Sequence, residues 1–173
     1  TSNLWGVNWN GSQYVAVGQY NTILTSEDGI SWITRHSDSS GRLQDVEWNG
    51  SQYVTVGRYT GVLTSSDGIN WTAQSLDEYI NIESVIWDGT QFISVGDSGA
   101  LFTSVDGIGW ERRGSGEIKS FFDVVKGADK LIAVGQGGIY SSLDGVNWIQ
   151  RHTDNDGNSI AWNENQYVVV GGY

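Results

Sequence analysis

No cysteine occurs in the 173 residues, so a disulfide framework, a thiolate nucleophile and a Cys-ligated zinc are all ruled out, and thiols give no hint of compartment. Proline and methionine are also absent. A chain that opens at Thr1 and lacks both fits a processed product, an excised fragment or an engineered repeat sequence. Basic side chains are scarce: 9 Lys and Arg stand against 20 Asp and Glu, for a formal charge of −11. Nucleic acid and anionic membrane surfaces select clustered cations that release counterions, so neither is an expected partner. Apolar runs are short. The run "YVVV" at 167–170 falls far below the roughly 20 residues that span a bilayer, and no basic segment followed by an apolar one opens the chain, so membrane insertion is not expected.

What the chain does have is self-similarity. A Gly closes each "QYVAVG"-like run at Gly18, Gly57, Gly96, Gly135 and Gly171, spaced 39, 39, 39 and 36. Trp32, Trp71, Trp110 and Trp148 follow at 39, 39 and 38. Periods of this size signal stacked or radial repeats. In the first copy "GVNWN", "QYVAVG", "TILTS" and "SWITR" are alternating or β-branched runs broken by Gly, Asn, Asp and Ser, and no segment has a helical period. Links of two to five residues demand antiparallel neighbours, so each copy reads as a four-stranded meander. The expected fold is all-β, a propeller of four full copies (about 4–42, 43–81, 82–120 and 121–157) and a half copy (158–173), forming one domain over 1–173. Radial stacking lets each meander cover the next.

Between strands three and four every full copy carries S-x-D-G-x-x-W: Ser26, Asp28 and Trp32; Ser65, Asp67 and Trp71; Ser104, Asp106 and Trp110; Ser142, Asp144 and Trp148. The Asp and Ser can accept turn N–H groups, the Gly can take positive φ, and the Trp supplies an apolar plate. The motif resembles the Asp-box, or bacterial neuraminidase repeat. With "YVAVG…ILTS" the whole chain resembles propellers related to photosystem II stability and assembly factors and bacterial surface propellers. It departs from S-x-D-x-G-x-T-W in lacking the residue between Asp and Gly and in having Ser, Asn or Gly for Thr. The resemblance implies a structural box lying away from the ligand face. It also favours an extracellular or periplasmic location, which nothing else in the sequence addresses.

What repeats in register is expected to be architecture. Eight of the nine Trp do so, with Trp9, Trp48, Trp87 and Trp162 ending strand one. Arg35, Arg113 and Arg151 mimic a sialidase triad, but each follows its box Trp by three residues and is expected to be surface charge. "GDSGA" at 96–100 imitates a protease nucleophile loop, yet it is in register with other strand two to three links. His36 and His152 occupy equivalent positions, too far apart to act together. The acidic loops 36–42, 75–81 and 152–159 match no calcium loop, and neither metal nor cofactor is expected. The candidates for function break the register on the end opposite the boxes: Trp5, Tyr20, Tyr59 and Phe122 as aromatic plates, with Gln44 and Glu83 as polar partners. Asp97, Ser98 and Tyr173 share that end. The expected function is non-catalytic binding of carbohydrate or protein, the alternatives being a fragment or engineered array that only folds and assembles, and a disfavoured glycosidase. The half copy is expected to drive self-association through the terminal strands of 159–173, by edge pairing or exchange between copies.

Overall fold

The computed structural model describes residues 2–76, 80–114, 119–153 and 156–172. Four sheets, each a meander, follow in chain order. The first holds β1 (Leu4–Trp9), β2 (Tyr14–Gly18), β3 (Ile23–Ser26) and β4 (Ile33–His36). The second holds β5 (Arg42–Trp48), β6 (Tyr53–Arg58), β7 (Val62–Ser65) and β8 (Thr72–Gln74). The third holds β9 (Ile82–Trp87), β10 (Phe92–Gly96), β11 (Leu101–Ser104) and β12 (Glu111–Arg112), and the fourth β13 (Phe121–Lys126), β14 (Leu131–Gly135), β15 (Gly138–Ser142) and β16 (Ile149–His152). A two-stranded sheet, β17 (Ser159–Trp162) with β18 (Tyr167–Val170), completes the series. A single 3₁₀ turn, Asp97–Gly99, lies between β10 and β11 among the described residues.

Local chemistry sets each hairpin. In the β1–β2 turn Asn10 Oδ1 accepts the N–H groups of Ser12 and Gln13 at 2.8 Å each, with Gly11 at φ +100°. Asn49 and Gly50 do the same between β5 and β6. The glycine that closes strand two is there for another reason. A Cβ on Gly57 would collide with the Arg42 carbonyl, and one on Gly18, Gly96 or Gly135 would meet the carbonyl of Asn3, Asn81 or Ser120. The first pair of strands carries a bulge there, between Leu43 and Asp45 in the second sheet, and it drives one backbone onto the other.

Hydrophobic burial lies between sheets as much as within them. Val15, Val17 and Ile23 pack with Leu43, Val46 and Tyr53 of the next sheet. Val54, Val56 and Val62 pack with Ile82, Val85 and Phe92. Val95 and Leu101 pack with Phe121 and Val124, and Ile132 and Val134 with Ile160. The first strands β1, β5, β9, β13 and β17 adjoin one another in sequence, and the fourth strands are largely exposed. This is a radial stack of blades, first strands innermost.

Candidate functional site

The two ends of the stack differ in chemistry. At one end lie the four S-x-D-G hairpins, built alike. Ser65 Oγ donates to Asp67 Oδ1 at 3.0 Å and accepts the Gly68 N–H at 2.8 Å. Asp67 Oδ1 accepts the N–H groups of Ile69 and Asn70, both at 2.8 Å, and Gly68 takes φ +71°. Trp71 Nε1 closes the turn on the Gly68 carbonyl at 3.1 Å. Ser26, Asp28 and Trp32; Ser104, Asp106 and Trp110; and Ser142, Asp144 and Trp148 repeat these bonds. Backbone N–H donors hold the Asp28 carboxyl down to about 2 and lower Asp67, Asp106 and Asp144 as well. These groups are consumed by the turn.

The two tryptophan registers meet in space. Tyr53 sits between Trp48 and Trp71, with ring centroids 4.5 and 6.1 Å away, and Tyr14 and Phe92 sit likewise between Trp9 and Trp32 and between Trp87 and Trp110. The arginines expected to be surface charge also make a repeated bond. Arg35, Arg113 and Arg151 each donate Nε to Thr25, Thr103 or Ser141 on the third strand, at 2.7–2.9 Å. Gln74 replaces them in the second blade. They sit on separate blades, with no shared centre.

The opposite end carries the register-breaking residues. Trp5 is half-exposed, and the Arg42 guanidinium lies over its ring, 5.5 Å from the centroid. Tyr20 and Tyr59 stand out from the β2–β3 and β6–β7 links at φ +59° and +64°, conformations that turn each ring outward; Tyr59 is 67% exposed. Tyr59 also lines a cleft of about 200 Å³ with Thr60, Gln74, Leu76 and Ile80. Phe122 is half-buried on β13. The polar partners are not free: Gln44 Nε2 donates to Glu83 Oε2 at 2.7 Å, and Arg58 Nε lies 2.8 Å from Glu83 Oε1. Glu83, with its side chain 7% exposed, is an internal counter-ion that orients Arg58 rather than a displayed acid. Asp97 accepts from Asn81 Nδ2 at 2.9 Å, and Ser98 sits in a turn at φ +54°. Tyr173, residues 77–79 of one acidic loop and residues 154–155 of another lie outside the described residues; among those described, no three His, Asp or Glu side chains converge as a metal site.

Sequence reasoning missed a row of carboxylates between the innermost strands. Asp45 Oδ2 accepts from Ser84 Oγ and the Val85 N–H, both at 3.0 Å, and Asp123 Oδ2 accepts from Ser159 Oγ at 2.7 Å and the Ile160 N–H at 2.9 Å. Glu47 accepts from Asn8 Nδ2 at 2.8 Å and the Trp87 N–H at 3.3 Å. Desolvation pushes Asp45 up to about 6 and Glu47 up to about 7, despite these donors. The signal was present in "RLQDVEW", where two acids at alternate positions flank Val46 in a first strand.

No protein-family model and no curated protein matches the chain. Solved structures do. YCF48 bound to a D1 peptide superposes with a TM-score of 0.75 at 18% identity, over 92% of this chain and 57% of that one. YCF48 from Cyanidioschyzon merolae gives 0.71 at 20% identity, over 93% and 60%. The β-propeller domain of Myceliophteria thermophila Cps50 (Swd1) gives 0.72 at 11% identity, over 99% and 62%. The chain has an all-β propeller fold like that of YCF48, and it spans about three fifths of the length of these structures.

Proposed function

We propose that the chain is a non-catalytic binding propeller that holds a protein segment on the end opposite the S-x-D-G turns. The exposed row of rings and guanidiniums there carries this reading: Trp5 under Arg42, Tyr20, Tyr59 above its cleft, and Arg58 braced by Glu83. Trp, Tyr and Arg dominate protein-binding hot spots because they bury large areas at low entropic cost and donate in fixed geometry. A peptide is bound by one structural neighbour, YCF48, which supports a peptide over a glycan. The hairpins act as structural fasteners of the Asp-box kind, and the repeats serve as one unit. A non-catalytic role is supported by the engagement of the box Ser and Asp, of Asp97, and of Arg35, Arg113 and Arg151 in turn or cross-strand bonds.

A displayed random-peptide library, a glycan array and a fluorogenic glycosidase panel test this together. Selected peptides whose binding is lost in Trp5→Ala and Tyr59→Ala, at an unchanged unfolding midpoint, support it. Glycan binding without peptide binding replaces the ligand class, and turnover of any glycoside overturns the non-catalytic assignment.

A further inference from the structure

Each internal blade junction is made the same way, so the repeat itself shows what covers any given face. On the leading face of the incoming blade, the positions of Leu43, Val46 and Tyr53 recur as Ile82, Val85 and Phe92 and as Phe121, Val124 and Leu131, and all nine are at most 3% exposed. On the trailing face of the preceding blade, Val15 and Val17 recur as Val54 and Val56, as Ile93 and Val95, and as Ile132 and Val134, none more than 6% exposed. Two copies of these positions remain open. Leu4 and Val7, the leading face of the first blade, are 44% and 62% exposed. Val168 and Val170, the trailing face of β17–β18, are 47% and 59% exposed.

Polar groups at the box end follow the same rule. Gln13 Nε2 donates to the Asp67 carbonyl of the next blade at 2.7 Å, Gln52 donates to that of Asp106, and Gln91 to that of Asp144 at 3.0 Å. Tyr53 and Tyr167 hydroxyls donate back to the carbonyls of Gln13 and Lys130 at 3.4 and 3.3 Å. By register, the unused counterparts are Gln166, exposed at the β17–β18 turn, and on the first blade the Asp28 carbonyl and the Tyr14 hydroxyl.

We propose that these two open faces are the halves of one heterologous interface, and that a second copy of this chain fills it head to tail. Val168 and Val170 of one copy lie over Leu4 and Val7 of the other, Gln166 donates to the Asp28 carbonyl, and Tyr14 donates to the carbonyl of Gln166. The contact continues a junction the chain already makes four times, and it buries apolar faces that water otherwise covers. It needs sheet faces, not exchange of the terminal segment.

Multi-angle light scattering over a wide concentration range tests this on the intact chain, Val7→Asp, Val168→Asp and an equal mixture of the two. The intact chain is expected to rise above its 18.9 kDa with concentration, while each variant stays at that mass. The mixture is the diagnostic sample. One variant keeps a sound leading face and the other a sound trailing face, so they are expected to give a species of two chains and nothing larger. Both substituted side chains are exposed in the single chain, so unfolding midpoints compared at concentrations where every chain is monomeric should not move; Leu4→Glu serves as a second leading-face variant if Val7→Asp fails to fold. An intact chain that stays monomeric throughout, variants that assemble like the intact chain, or a mixture that stays monomeric while the intact chain assembles would each overturn the proposal.

Discussion

Replacing Glu47 by Gln should stabilise the protein at neutral and alkaline pH and leave it unchanged in mild acid. The Glu47 carboxyl sits among the innermost strands, where desolvation raises it from 4.5 to about 7; the Trp87 N–H opposes that rise and the Asp45 charge adds to it. Between those values the folded state binds more protons than the unfolded one, so stability falls as pH rises. The deficit is absent below about 4.5 and complete above about 7. At about 1.4 kcal/mol per pH unit its ceiling is ~3 kcal/mol, and residual water contact reduces that to ~2 kcal/mol. Gln is neutral and can meet both donors: its Oε1 accepts the Trp87 N–H, and its Nε2 donates to Asn8 once that amide turns over. Urea unfolding of the wild type and Glu47→Gln from pH 4.5 to 8.5 measures the difference. A stabilisation near 2 kcal/mol above pH 7 that vanishes by pH 4.5 is expected. An equal effect at both ends of the range would refute a buried-charge origin.

Stability of the unaltered chain should peak in mild acid, because Asp45 and Glu47 lose their penalties as pH falls toward 4, whereas the depressed box carboxylates lose their contribution only below about that point; thermal melts against pH show it. Asp67→Ala should cost about 1–3 kcal/mol by leaving the Ile69 and Asn70 N–H groups without their acceptor, while ligand affinity of the folded protein stays the same. Gly57→Ala should cost about 3 kcal/mol or prevent folding, since the Arg42 carbonyl already occupies the site of the new methyl, whereas Gly50→Ala meets open space and carries only the strain of φ +100°. Leu43→Ala should cost about 2–5 kcal/mol in denaturant, and Leu4→Ala, at the equivalent but open position, well under half as much in the single chain.

The sequence by itself determined the blade. Strand runs, Asn-Gly turns and the S-x-D-G hairpin are bonds among residues a few positions apart, so their chemistry is spelled out locally, and the 39-residue period made the copies countable. It also singled out Trp5, Tyr20 and Tyr59, which the structure places at the end opposite the S-x-D-G turns. Tertiary structure decided everything joining residues about 39 or 54 positions apart. The glycine that closes strand two is legible in the sequence only as a repeated position; the carbonyl on the neighbouring strand that requires it is not. Glu83 looked like a displayed partner and is instead spent on Arg58 and Gln44. Asp45 and Glu47 are desolvated by the next blade, which no local pattern in the first strand displays. Val7 and Val46 stand in the same register in the sequence, yet one faces water and the other a valine-lined wall, because burial depends on what the neighbouring blade places opposite and not on the residue's own neighbours in the chain.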